Sequence, residues 1–183
     1  MALAAQNRCL LNWKPYPCGY FGAQKRECRC TPIQIRNYRN KISGPLLDRI
    51  DIHIEVPSVS YHELSSLGAG EPSAAIRGRI IAARDIQHNR FKGLPSTGSG
   101  RRRKVHCNAT MRSKDMSKFC QLKEDAQSLL KMAIAELNFS ARAYDRILKV
   151  ARTIADLASK EQIESEHISE AIQYRTLDRQ FWI

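Results

Sequence analysis

Three groups of side chains in this sequence have types and spacing suited to chemistry. The first is Arg49, inside the stretch SGPLLDRIDIHIEVP at residues 43–57. A guanidinium stays charged and donates two parallel hydrogen bonds, which suits a phosphate. From its neighbours alone Arg49 is either a solvated surface charge or a cation set against a phosphate. The second group is Cys18, Cys28 and Cys30, in CGYFGAQKRECRC. Structural zinc takes four ligands in a tetrahedron, so three thiolates need a fourth donor. Cys9 is the nearest choice, with Cys107, Cys120 or a histidine more remote, and free thiols on an unmetallated loop are the alternative. The third group is basic: Arg77, Arg79, Arg84, Arg90, Lys92, Arg101, Arg102, Arg103 and Lys104. Positive charge in a row is all that backbone phosphate contacts require, and a solvated helix face followed by a flexible loop is the competing reading. The five histidines have no metal-ligand spacing and no Ser or Asp partner set.

These side chains need elements to hold them. Ser43-Gly44-Pro45 reads as a turn and Leu46-Leu47 as a short apolar anchor. Ile50, Ile52, Ile54 and Val56 then alternate with Asp51, His53 and Glu55, a period of two that predicts a half-buried strand ending at Pro57. Thr31-Pro32 opens a helix running to Lys41, because proline fits a first helical turn. Residues 73–91 predict a helix with Ile76, Ile80, Ala83 and Ile86 or Gln87 along one stripe. Residues 93–100 are rich in Gly, Ser and Pro and lead into Arg101-Arg102-Arg103-Lys104, a linker composition. Helices follow at about 113–119, 123–137, 141–159 and 166–174. Tyr144, Ile147, Ala151, Ile154 and Ala158 give the third of these an apolar stripe, and Ser140 and Ser165 stand where N-caps belong. Four short helices of this kind make a small bundle.

Composition narrows the classes. At 183 residues and 43% hydrophobic content the chain can bury a core. No apolar run reaches the ~20 residues of a membrane span, and no apolar leader followed by a cleavage site opens the sequence. A cytoplasmic protein without membrane contact is the expectation, and in that reducing setting cysteines serve as metal ligands or plain thiols. The net charge of +12 is concentrated mid-chain: residues 76–118 hold 12 Lys/Arg against 2 Asp/Glu, whereas residues 119–183 hold 9 against 10. An anionic partner follows, nucleic acid first.

Residues 43–57 resemble the segment with LLDR(F/I)D before a strand in AAA+ ATPases of the magnesium-chelatase and MCM-helicase clade. Residues 137–158, LNFSARAYDRILKVARTIADLA, resemble the sensor-2 helix of the chelatase-like ComM/YifB family, and residues 166–180, EHISEAIQYRTLDRQ, are similar to the end of that family's lid. The resemblance runs from residue 18 to residue 179. It implies that Arg49 is an arginine finger acting in trans on ATP held by a neighbouring subunit. It implies that Arg142 is the sensor-2 arginine, contacting nucleotide of its own subunit or the next. The fold it implies is α/β plus α: a C-terminal remnant of an AAA+ αβα core at residues 1–92, a basic flexible linker at 93–107 and an all-helical lid at 108–183. Full-length relatives use ATP and Mg, assemble into a ring, expected to be a hexamer, and handle DNA, with branch migration during natural transformation as the associated activity. A non-enzymatic basic nucleic-acid-binding module and an ATPase subunit of magnesium chelatase are the alternatives.

The sequence also departs from that family. Gly93 and Gly98 have phosphate-loop spacing, but Ser99 and Gly100 follow where Lys and Ser/Thr are needed, and no apolar run ends in Asp-Glu. As written, the chain is expected not to hydrolyse ATP alone. The family pattern of two C-x-C pairs, suited to four-thiolate zinc, is reduced to three cysteines, with Tyr16 in place of the first and Lys14 at the sensor-1 asparagine position. Resemblance fades upstream of about residue 14, which leads to the expectation of a truncated or frame-disrupted reading frame.

Overall fold

The computed structural model describes residues 17–20, 27–41, 46, 49–54, 65, 70–92 and 105–175. Within them the chain forms α1 (Pro32–Arg39), α2 (Ser73–Phe91), a 3-10 turn (Asn108–Thr110), α3 (Ser113–Phe119), α4 (Glu124–Leu137), α5 (Ala141–Leu157) and α6 (Ser165–Gln173). Local chemistry explains the starts and stops. Thr31 Oγ1 accepts from the Gln34 N–H at 3.3 Å while Gln34 Oε1 accepts from the Thr31 N–H at 3.0 Å, a reciprocal cap ahead of Pro32. Ser140 Oγ caps α5 through the Ala143 N–H at 3.1 Å, as its position predicts. The cap of α6 falls one residue earlier than Ser165: the Glu164 N–H donates to His167 Nδ1 at 3.0 Å. Asn138, with φ 47°, takes the left-handed conformation that ends α4.

The core forms around α5. Its Ile147, Leu148, Ala151 and Ala155 pack with Ala126 and Leu130 of α4, Ile168 and Ala171 of α6, and Phe91 at the end of α2. Phe91 and Phe119 meet edge to face at 5.6 Å, which fixes α2 and α3 against each other. A parallel bridge joins Leu122 to Ile163, whose side chain is fully buried.

A charged cluster lies inside this apolar shell. Asp156 is buried and accepts two bonds from the Arg90 guanidinium, one at 2.8 Å to Oδ2, the other to Oδ1. It accepts a third from Arg152 Nε at 3.0 Å and a fourth from Asn108 Nδ2 at 2.7 Å. Asn108 Oδ1 accepts in turn from Arg90 at 3.1 Å, and the remaining Arg152 donors reach the carbonyls of Lys160 and Glu161 at 2.6 Å each. Burial pulls the Arg152 guanidinium below its usual range, and the charge of Asp156 opposes the shift. The cluster ties α2, the turn at 108–110, α5 and the chain after α5 to one carboxylate.

Two elements differ from the sequence expectation. Helix α2, expected on the N-terminal side of the linker, packs on α5 through Ala83, Gln87 and Phe91. Its predicted apolar stripe is real but only half covered: Ile76 and Ile80 remain 39% and 44% exposed, because only the second half of α2 reaches the bundle. Residues 50–54 form no strand, with a bend at Asp51, and the described residues contain no strand at all. The reason is the absence of a ladder among them. Ile52 and Ile54 are 45% and 68% exposed, so among the described residues most of the apolar side of the alternation is left uncovered, and the AAA+ core remnant is not seen there. Residues 55–56, residues 93–104 of the expected 93–107 linker, Cys9, Lys14 and Tyr16 lie outside those residues.

Replacing Asp156 by Asn leaves the buried Arg152 and the largely covered Arg90 without their carboxylate. Asp156→Asn should cost about 3–5 kcal/mol in urea unfolding, whereas Glu71→Gln, which breaks the exposed pair with Arg79 at 2.8 Å, should cost under about 1 kcal/mol. Equal small losses would remove Asp156 from its central role.

Candidate functional site

Arg49 closes a turn in which its N–H donates to the Leu46 carbonyl at 3.0 Å, and its side chain is exposed. The chain leaving it runs along the end of the bundle. Arg175, itself buried, donates from NH1 to the Ile50 carbonyl at 2.7 Å. Asp51 forms an ion pair with Arg146 of α5, and the His53 N–H donates to the Tyr174 carbonyl at 2.8 Å. Arg142 lies in the first turn of α5, exposed, one turn before Arg146. The two arginines singled out by sequence thus belong to a single packed unit. Both present charge to solvent, and neither is spent on an internal carboxylate in the manner of Arg90 or Arg152.

The basic residues separate by burial. Arg77, Arg84 and Lys92 are exposed on α2 or at its end, although Arg84 also donates to Gln87 Oε1 at 2.6 Å and to the His106 carbonyl at 3.4 Å. Arg79 is exposed and paired with Glu71. Arg90 turns inward to Asp156, its side chain only 13% exposed, so the structure gives it a role in packing rather than a place in the exposed row. Arg101, Arg102, Arg103 and Lys104 lie outside the described residues.

The three cysteines converge. Cys18 and Cys28 have their sulfurs 3.4 Å apart, and the sulfurs of all three, Cys30 included, lie within 4.8 Å of one another. Tetrahedral thiolates about 2.3 Å from zinc would stand roughly 3.8 Å apart, so the cluster suits three of four ligand positions. The Tyr20 N–H, donating to Cys18 Sγ at 3.4 Å, lowers the Cys18 pKa. Cys30 is pushed up to about 11 by partial desolvation and by its thiol neighbours. Glu164, Glu166 and His167 also approach one another, but Glu164 is engaged by Lys123 at 2.5 Å and Lys160 at 3.7 Å, and the Lys123 bond lowers its pKa.

Sequence reasoning missed Asp156, Arg152, Asn108, Arg146 and Arg175 as structural groups. A signal existed for one pair. Arg152 and Asp156 are four apart and fall in the same helical phase as buried Leu148 and Ala155, so two charges sit on an apolar face. Nothing local marks Arg90 or Arg175, whose partners are 66 and 125 residues away.

A helical bundle with arginines exposed at one end is consistent with the C-terminal helical lid of a chelatase-like domain. Family comparison specifies the module. Residues 70–175 match the family described as magnesium chelatase, subunit ChlI C-terminal, and residues 1–64 match magnesium chelatase, subunit ChlI. The chain belongs to the magnesium chelatase family and is ComM/YifB-like. It is 39% identical to the uncharacterized protein YifB of Salmonella typhimurium and 39% identical to the competence protein ComM of Haemophilus influenzae, in each case over 90% of this chain and 30% of the relative. YifB of Escherichia coli is 37% identical over the same shares. The chain therefore spans about 30% of the length of these relatives. The two matched regions meet between residues 64 and 70, just before α2, in keeping with the packing of α2 on the bundle.

Proposed function

We propose that this chain supplies the trans-acting and lid parts of a chelatase-like AAA+ ATPase. Arg49 reaches the γ-phosphate of ATP bound by a neighbouring subunit, and Arg142 contacts nucleotide from the lid. A guanidinium at the γ-phosphate offsets charge that builds up during phosphoryl transfer. The observation that carries this reading is the pairing of exposed Arg49 and exposed Arg142 on one body whose sequence falls in the family. ATP and Mg are bound by other parts of the intact protein, whose subunits form a ring, a hexamer by family resemblance. Turnover drives DNA movement, with branch migration in transformation as the activity, and likeness to a competence protein supports that choice.

At the matching position of a full-length relative, Arg49→Ala should lower kcat about 10³-fold or more while ATP binding persists. Unchanged turnover would remove the finger role. The isolated chain should show no turnover of its own.

Exposed Arg77, Arg84 and Lys92 on α2 favour a second reading, a basic module that holds nucleic acid without catalysis. In either reading binding weakens with salt, and Arg77→Ala and Arg84→Ala should each reduce the magnitude of the log–log salt slope by about 1. A monomer that binds DNA fully, with Arg49→Ala inert in the whole ATPase, would favour the second reading.

Zinc fits Cys18, Cys28 and Cys30 with one further donor, Cys9 or another. When bound it would cross-link the loop and supply no reaction step. Purified protein should carry about one zinc per chain, lost in Cys28→Ser; under about half an equivalent would exclude a structural site.

A further inference from the structure

Three contacts cross from four consecutive residues, 50–53, to the helical bundle. Ile50 offers its carbonyl to Arg175, Asp51 its carboxylate to Arg146, and His53 its N–H to the Tyr174 carbonyl. Tyr174 and Arg175 follow directly on the last turn of α6, and Arg146 lies on α5 one turn beyond Arg142. Arg175 is 1% exposed. Removing a guanidinium from water is unfavourable unless its donors are used, so the bond to Ile50 belongs to the packed structure and is not a passing surface contact. Arg49 is the residue immediately before Ile50, the first of these anchors.

We propose that Asp51, Arg146 and Arg175 are positioning residues that clamp the Arg49 turn to the end of α5 and α6. The guanidinium offered to a neighbour's nucleotide and the helix bearing Arg142 then move as one unit. A shift of the lid on nucleotide binding in one subunit is carried to the phosphate site of the next through the Asp51–Arg146 pair and the Arg175–Ile50 bond. This inference rests on the roles proposed above for Arg49 and Arg142. It adds the residues that link them.

The test has two arms. Hydrogen exchange on the 183-residue chain reports the clamp itself. Arg146→Glu should speed exchange at the His53 amide about tenfold and leave the α5 and α6 core amides unchanged. Adding Asp51→Lys, which restores the pair with charges reversed, should return the protection. The second arm measures ATP turnover in a full-length relative with Asp and Arg at the matching positions. There Arg146→Glu should lower kcat about tenfold with KM for ATP within about threefold, and the double exchange should recover kcat. A protein merely loosened would not regain turnover through reversed charges. Unchanged exchange at His53 overturns the clamp. Unchanged kcat in Arg146→Glu, where Arg49→Ala is inactive, overturns its positioning role and leaves the finger role standing. A kcat loss that the double exchange fails to recover also overturns it. An active Arg49→Ala instead overturns the finger role, and the exchange arm still decides whether the clamp exists.

Discussion

Asp156 is a carboxylate inside a hydrophobic bundle, and it persists there because two guanidiniums and a carboxamide meet all its acceptor capacity. Helix α2, the turn at 108–110 and the chain leaving α5 each send a group to it or to its partner Arg152. Apolar packing around Ile147 and Ala151 is non-directional and tolerates sliding. The charged cluster does not, because each donor has a set direction. A displaced α2 would strand Arg90 from its carboxylate, so the cluster selects a single arrangement from those the apolar surfaces would allow. That is how a chain with so much positive charge uses part of it inside.

The same helix shows why some of the fold was legible in the sequence and some was not. The limits of α2, α3, α4 and α5 follow from periodicity and caps within a few residues of one another, and those signals are local. The alternation at Ile50, Ile52 and Ile54 is equally clear, yet these residues form no strand among the described ones. A strand is completed by a neighbour, and periodicity says nothing about whether one is there. Arg90 illustrates the limit for site residues. In sequence it stands among basic neighbours on α2 and looks like one more phosphate contact. Only the fold reveals that its helical phase, one residue before buried Phe91, aims it at Asp156. Arg49 and Arg142 were singled out by resemblance alone, whereas the contacts of Asp51, Arg146 and Arg175 had no signal, because an ion pair between distant segments leaves no local pattern.

A division of labour among arginines emerges. Arg90, Arg152 and Arg175 are consumed internally, by Asp156 and by main-chain carbonyls. Arg49, Arg77, Arg84 and Arg142 keep their charge at the surface. The inner set makes a rigid body; the outer set is carried by it. A phosphate-contacting guanidinium works only if it is held in place before the reaction, since misplacement of about 1 Å can cost about two orders of magnitude in rate. In the roles proposed for Arg49 and Arg142, rigidity at Asp156 and the anchoring of residues 50–53 hold those two side chains in place.

The central claim is that Arg49 acts across a subunit boundary, on ATP bound by a neighbouring subunit. Subunit mixing in a full-length relative addresses it most directly. One population carries Ala in place of the matching finger arginine, and the other carries Ala in place of the phosphate-loop lysine; each is inactive alone. Trans action predicts that mixing them restores turnover, because rings then contain intact sites faced by intact arginines. Mixed rings that assemble and remain inactive would contradict it.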